Sequence, residues 1–174
     1  MQALATRLAP DALRLERLLP GPIDRVWAFL TESDKRGRWL ATGDWDLKPG
    51  GKVELHFAHE SMQKEPTPAK YRDVPMSFTG KVIRVEAPRL IEFTWMESNG
   101  VASEVTFELA PRDTKVLLTI THRRITSHGE LLDIAGGWDV HTGILEDVLS
   151  DQPPRGFWSA HERLVTEYSQ RFAT

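Results

Sequence analysis

The chain has 174 residues, 22 Lys plus Arg against 25 Asp plus Glu, a formal net charge of -3 with His neutral, a hydrophobic fraction of 40% and no Cys. This is the composition of one ordinary soluble domain, large enough to bury roughly 70% of the surface its unfolded form exposes and to build a core without disulfides or metal. It excludes thiolate nucleophiles and Cys-ligated zinc or iron-sulfur clusters, and the lack of any Lys/Arg block argues against a nucleic-acid or anionic-membrane surface held by electrostatics.

No stretch approaches the roughly 18 consecutive apolar residues of a membrane span. The opening Met1 to Ala9 carries only Arg7, and Pro10 ends it before the apolar run of about 7 residues that a secretion signal needs. A cytoplasmic protein with a short loose N-terminus is expected. Leu13 and Leu15 alternate with Arg14 and Glu16 as in a first strand, until Arg17-Leu18-Leu19 breaks the period and Pro20-Gly21-Pro22 turns the chain. A helix follows, with Pro22 and Asp24 at its start and Ile23, Val26, Trp27 and Leu30 at helical spacing. Ser33 to Trp39 reads as a second short helical piece. After the turn at Pro49-Gly50-Gly51, Val53, Leu55 and Phe57 alternate with Lys52, Glu54 and His56 as in a strand with one buried face.

From Ala58 to Pro75 the pattern disappears, and a long surface loop is predicted. Strands then follow over Ser77 to Glu86 and Leu90 to Met96, the second with Ile91, Phe93 and Trp95 on one face. Asn99-Gly100 is a tight hairpin signal; Val105, Phe107 and Leu109 alternate beyond it, and Val116 to Ile125 closes the antiparallel run. Ser127 and Glu130 have the form of a capping box opening a long helix, with Leu131, Ile134, Ala135, Trp138, Leu145 and Leu149 near one face. Gly136 and Gly137 suggest a break in it. A last amphipathic helix carries Trp158, His161, Leu164, Val165, Tyr168 and Phe172.

The chain has no Gly-x-Ser-x-Gly elbow, no Walker-type loop and no Gly-x-Gly-x-x-Gly after a strand. His56 and His59, three residues apart on an expected strand, point to opposite faces, so no metal site and no cofactor are expected. His122 and His141 are weighed as pocket residues against the commoner role of buried His satisfied by a nearby carbonyl, and the latter is favoured. No base with an orienting partner is visible, so no catalytic residue is assigned and an enzyme is the less favoured expectation.

The order strand, helix pair, antiparallel meander, long helix is an α+β architecture in which a curved sheet wraps one C-terminal helix. Leu19-Pro20-Gly21-Pro22-Ile23-Asp24-Arg25-Val26-Trp27, Trp39-Leu40, Pro49-Gly50-Gly51-Lys52, Gly80-Lys81-Val82-Ile83, Pro88-Arg89-Leu90-Ile91-Glu92-Phe93-Thr94-Trp95, Glu104-Val105-Thr106-Phe107-Glu108-Leu109 and Gly137-Trp138-Asp139-Val140-His141 together resemble the START-like or Bet v 1-like (SRPBCC) superfamily. Within it the chain resembles the activator of Hsp90 ATPase homologue 1-like branch, from about Leu13 to Leu149. The resemblance implies a helix-grip fold with two short helices after the first strand, a single domain over 1-174 with its core at about 13-149, and a C-terminal helical extension over 150-174. It also implies a small apolar ligand held between sheet and C-terminal helix, with a stress-related role. Two further roles are kept beside it, a co-chaperone or protein-interaction module with a protein partner and a polyketide cyclase-like enzyme. No nucleic-acid or membrane partner is expected, and the chain is read as a monomer or homodimer. The residues placed around the cavity are Trp27, Trp39, Phe57, Phe78, Trp95, Phe107, Trp138, His141, Thr142 and Leu145, with Trp95 and Trp138 facing each other across it.

Overall fold

The computed structural model describes residues 2–74 and 76–173; Pro75, the end of the expected surface loop, lies outside them. Strands β1 (Thr6–Ala9), β2 (Ala12–Pro20), β3 (Lys52–His56), β4 (Ser77–Glu86), β5 (Leu90–Ser98), β6 (Val101–Arg112) and β7 (Lys115–Arg123) form one antiparallel sheet in the order β1-β2-β7-β6-β5-β4-β3. After β2 the chain leaves the sheet through helices α1 (Ile23–Thr31) and α2 (Ser33–Arg36), re-enters at the opposite edge, and meanders back until β7 pairs with β2. Register shifts between Val82 and Arg84 and between Thr94 and Glu97 interrupt the ladders, the local irregularity by which strands bend. Helix α4 (His128–Leu149) lies across the sheet, and α5 (Trp158–Arg171) packs on α4. The core fills the space between them with Leu13, Leu15, Phe93, Val105, Phe107 and Ile120 from strands and Leu131, Ala135, Trp138 and Leu145 from α4.

Four local expectations are corrected. The N-terminus is not loose: β1 pairs with β2, and the Ala5 amide donates to the Tyr168 hydroxyl at 2.7 Å, so the two short helices follow the second strand rather than the first. The period of β2 does not break at Arg17. Arg17 takes an inward position in line with Leu13, Leu15 and Leu19, 3% exposed, because its guanidinium donates to Asp139 of α4 at 2.6 Å. A charge is tolerated there because it is paired. The expected loop holds a short helix α3 (His59–Met62) and a 3-10 turn at Ala69–Tyr71, too short to leave a period in the sequence.

Finally, α4 runs unbroken through Gly136 and Gly137. Gly136 is there for closeness, since a Cβ on it would come within 3.0 Å of Val165 Cγ2 on α5. Around Gly137 the space is open, with nothing within 4 Å of the same added atom. The α4 N-terminus is capped as its sequence foretells, Ser127 Oγ accepting from the Glu130 amide at 3.2 Å. The Glu130 carboxylate turns instead to the amide and hydroxyl of Thr126.

Candidate functional site: an aromatic cavity at the end of the long helix

A cavity of about 480 Å³ opens where the sheet, α4 and the start of α5 meet beneath the 57–76 segment. The sheet supplies Phe78 from β4 and Trp95 from β5, their rings 4.9 Å apart and near perpendicular, with Phe57 just beyond β3 at 6.0 Å from each. Helix α4 supplies Ile134, Gly137, Trp138 and His141, which fall on one face by their spacing of three or four. The start of α5 adds Phe157, Trp158 and His161, and the covering segment adds His59, Tyr71, Val74 and Met76. The volume lies in the range of small-molecule sites, roughly 300 to 1,000 Å³.

Trp95 and Trp138 face each other with ring centroids 5.0 Å apart, both buried. Trp138 is held from behind: its Nε1–H donates to His122 Nδ1 at 3.0 Å, and His122 Nε2 lies 2.8 Å from Ser103 Oγ. An indole nitrogen can only donate, so His122 is neutral with its proton on Nε2. Burial pushes its pKa down to about 3.

His141 follows the same logic at the cavity wall. Its Nδ1 lies 2.7 Å from the Trp39 carbonyl, which can only accept, so Nδ1 carries the proton and donates, leaving Nε2 as the free nitrogen. Burial, helped by the nearby His59, lowers its pKa to about 3, and burial lowers His59 to about 4. At neutral pH both rings are uncharged. The two are 5.4 Å apart, and Phe157 packs against both. Among the described residues, charge enters the lining through Glu97, Glu130 and Asp133, and no Lys or Arg contributes.

The structure brings together Phe57, Phe78, Trp95, Trp138 and His141 of the residues singled out from sequence. The others stand elsewhere. Trp39, Phe107, Thr142 and Leu145 are sealed in the core, each fully buried, with Trp39 donating to the Phe29 carbonyl at 2.7 Å and Thr142 donating back to the Trp138 carbonyl at 2.7 Å. Trp27 is half-buried on α1 against the core. Thr142 is therefore a helix-facing hydroxyl satisfied within its own turn, not a small residue beside a void. The small residue beside a void is Gly137.

Sequence reasoning missed His59, Tyr71, Gly137, Phe157, Trp158 and His161. The signal for two of them, Trp158 and His161, was present in the amphipathic stripe of the last helix. A neighbouring cleft of about 560 Å³ shares Tyr71, Asp133, Trp158 and His161 with the cavity, but its remaining wall is largely polar, from Glu65, Lys70, Ser159, Glu162 and Thr166. His56 and His59 do not converge: His56 Nδ1 sits at 3.0 Å from Ser77 Oγ at the sheet edge, while His59 is on α3. Among the described residues no group of three or more His, Asp or Glu side chains is arranged to hold a metal ion, and no helix is long and apolar enough to cross a membrane.

Among solved structures, the protein encoded by gene BPP1335 from Bordetella parapertussis superposes with a TM-score of 0.82 and 41% identity, over 97% of this chain and 90% of that one. CalU16 from Micromonospora echinospora has a TM-score of 0.71 and 20% identity, over 94% of this chain and 89% of that one. EF2215 from Enterococcus faecalis has a TM-score of 0.66 and 17% identity, over 95% and 91%. At those identities the last two speak for the fold alone. No curated protein sequence matches significantly. The family model for activator of Hsp90 ATPase homolog 1-like protein matches residues 20–150, from the end of β2 through α4, and the chain belongs to that family.

Proposed function

We propose that the protein binds a small, uncharged, ring-containing apolar molecule in the cavity between sheet, α4 and α5, without transforming it. The observation that carries this reading is the lining: Phe57, Phe78, Trp95 and Trp138 present ring faces and edges to a space of about 480 Å³ that stays open beside Gly137. Such walls favour flat apolar partners through area and ring geometry.

The charges select in the same direction. Three carboxylates in the lining, with no Lys or Arg and histidines held neutral, repel a fatty acid or other anion. Catalysis is disfavoured on the same ground, because a histidine whose pKa is about 3 is a poor general base near neutrality.

Gly137 supplies the test. Its Cβ would meet nothing, so Gly137→Leu projects a side chain into the cavity without a backbone clash and adds helix propensity. The parent protein should raise the fluorescence of N-phenyl-1-naphthylamine, a neutral probe, more than that of anionic 1-anilinonaphthalene-8-sulfonate. A folded Gly137→Leu variant should lose the response. Equal uptake by parent and variant would overturn the assignment of the cavity.

A further inference from the structure

His141 is 6% exposed and is held from one side only. Its Nδ1–H donates to the Trp39 carbonyl at 2.7 Å, so Nε2 carries a lone pair and no proton. That lone pair has no protein partner among the described residues. Phe57 and Phe157, with ring centroids 5.9 and 4.8 Å from the imidazole, have no side-chain donor to offer, and the His59 ring at 5.4 Å makes no hydrogen bond to it. Nor is Nε2 sealed off. The fully buried side-chain nitrogen that lacks a partner is Trp158 Nε1, whereas His141 Nε2 keeps accessible surface. His141 borders the aromatic cavity and not the neighbouring polar cleft, so that surface opens into the cavity. Buried polar groups find a partner in about nine cases in ten. Here the protein fixes the ring by one nitrogen and leaves the other to whatever fills the space.

The geometry points to His141 Nε2 as the polar anchor of the cavity, accepting a hydrogen bond from a neutral O–H or N–H of the bound ring compound. This rests on the reading of the cavity as a small-molecule site and narrows the ligand to neutral aromatic compounds that carry a donor, phenols and naphthols among them. The direction of the bond is set by the Trp39 carbonyl. With the proton on Nδ1, Nε2 cannot donate, and an ether or ketone oxygen at the same place sets lone pair against lone pair. A pure hydrocarbon leaves the acceptor unpaired, a mismatch that rejects a ligand more strongly than a missing methylene does.

The test is displacement of bound N-phenyl-1-naphthylamine by three naphthalenes. 2-Methylnaphthalene keeps the shape of 2-naphthol and loses its hydroxyl; 2-methoxynaphthalene keeps the oxygen and loses the donor. 2-Naphthol should compete about three- to tenfold better than either, the size of one net hydrogen bond, although it is the least hydrophobic of the three. His141→Asn should erase the preference, because the amide can still donate towards the Trp39 carbonyl but offers nothing in place of Nε2.

A second readout needs no variant and decides the matter if His141→Asn fails to fold. In nitrogen-15 spectra of the parent protein, His141 is an imidazole protonated on Nδ1, the opposite tautomer to His122. 2-Naphthol should move its Nε2 resonance upfield, as a hydrogen bond to a lone-pair nitrogen does, and 2-methoxynaphthalene should not. Equal competition by the three compounds, a preference that survives in folded His141→Asn, or an unmoved Nε2 resonance overturns the His141 contact while leaving the cavity assignment standing. Failure of the parent protein to bind the probe removes both together.

Discussion

Trp138 on α4 donates its indole N–H to His122 on β7 at 3.0 Å, so the ring opposite Trp95 is oriented by a hydrogen bond from outside the cavity lining. The contact fixes an aromatic wall that packing alone would leave free to rotate, and it ties the long helix to the centre of the sheet. His122→Phe keeps the volume but orphans the indole donor in a fully buried place. It should destabilise the protein by about 1 to 3 kcal/mol in urea unfolding and shift the tryptophan emission. Wild-type stability in this variant would show that the bond does not organise the site.

Acid should weaken the fold in a defined window. Folded His59 is held at about 4 and His122 and His141 at about 3, against an ordinary value of 6.5. Above 6.5 both folded and unfolded forms are neutral and these groups contribute no pH dependence. Below it the unfolded chain takes up protons that the folded one refuses, so stability falls as pH drops from about 6.5 towards about 4. Each group contributes a slope approaching about 1.4 kcal/mol per pH unit, or about 4 for the three together. Urea midpoints measured from pH 7 to pH 4.5 should fall steeply; a flat profile down to pH 5 would contradict the neutral burial of these rings.

The Arg17–Asp139 pair is a further structural joint, extended by the Tyr168 hydroxyl, which donates to Asp139 Oδ2 at 2.6 Å. Arg17→Met strands the Asp139 carboxylate at a largely buried position and should cost about 3 to 5 kcal/mol. Tyr168→Phe should cost less, about 2 to 3 kcal/mol, because it removes the donor to Asp139 and leaves the buried Ala5 amide without its acceptor. Thermal melts of the two variants check the order.

The cavity's cover is latched to α5 by Gln63 and Glu65. The start of α5 has no cap of its own: the Phe157 amide donates to Gln63 Oε1 at 3.2 Å, and the Ser159 amide donates to Glu65 Oε2 at 3.0 Å. Glu65→Ala should cost about 1 kcal/mol, as loss of a helix cap does, and should speed hydrogen exchange at Ser159 and along His59 to Tyr71. Unchanged exchange in the covering segment would show that Glu65 does not hold it.

The strands that build the sheet wall were legible because Val53, Leu55, Phe93, Trp95, Val105 and Phe107 alternate cleanly with polar neighbours, and α4 carried its capping box openly. Arg17 was misread because its partner lies 122 residues away, and no local pattern announces a buried charge whose counter-ion comes from another element. The cover escaped for a similar reason, since α3 and its 3-10 turn are held by Gln63, Glu65 and the stack of Tyr71 on Trp158, not by periodicity. Trp39, Phe107, Thr142 and Leu145 share inward faces with true wall residues, and spacing cannot tell a face that meets core from one that meets space. Gly137 can be told apart only once the space beside it is seen.

Nuclear Overhauser contacts between bound N-phenyl-1-naphthylamine and the labelled protein locate the ligand directly. Binding in the aromatic cavity gives cross-peaks from the probe to Ile134, Gly137 and the rings of Phe78 and Trp95, lost in Gly137→Leu. Saturable binding with contacts confined to the outer, polar cleft at Lys70, Glu162 and Thr166, or to no single site, would contradict it.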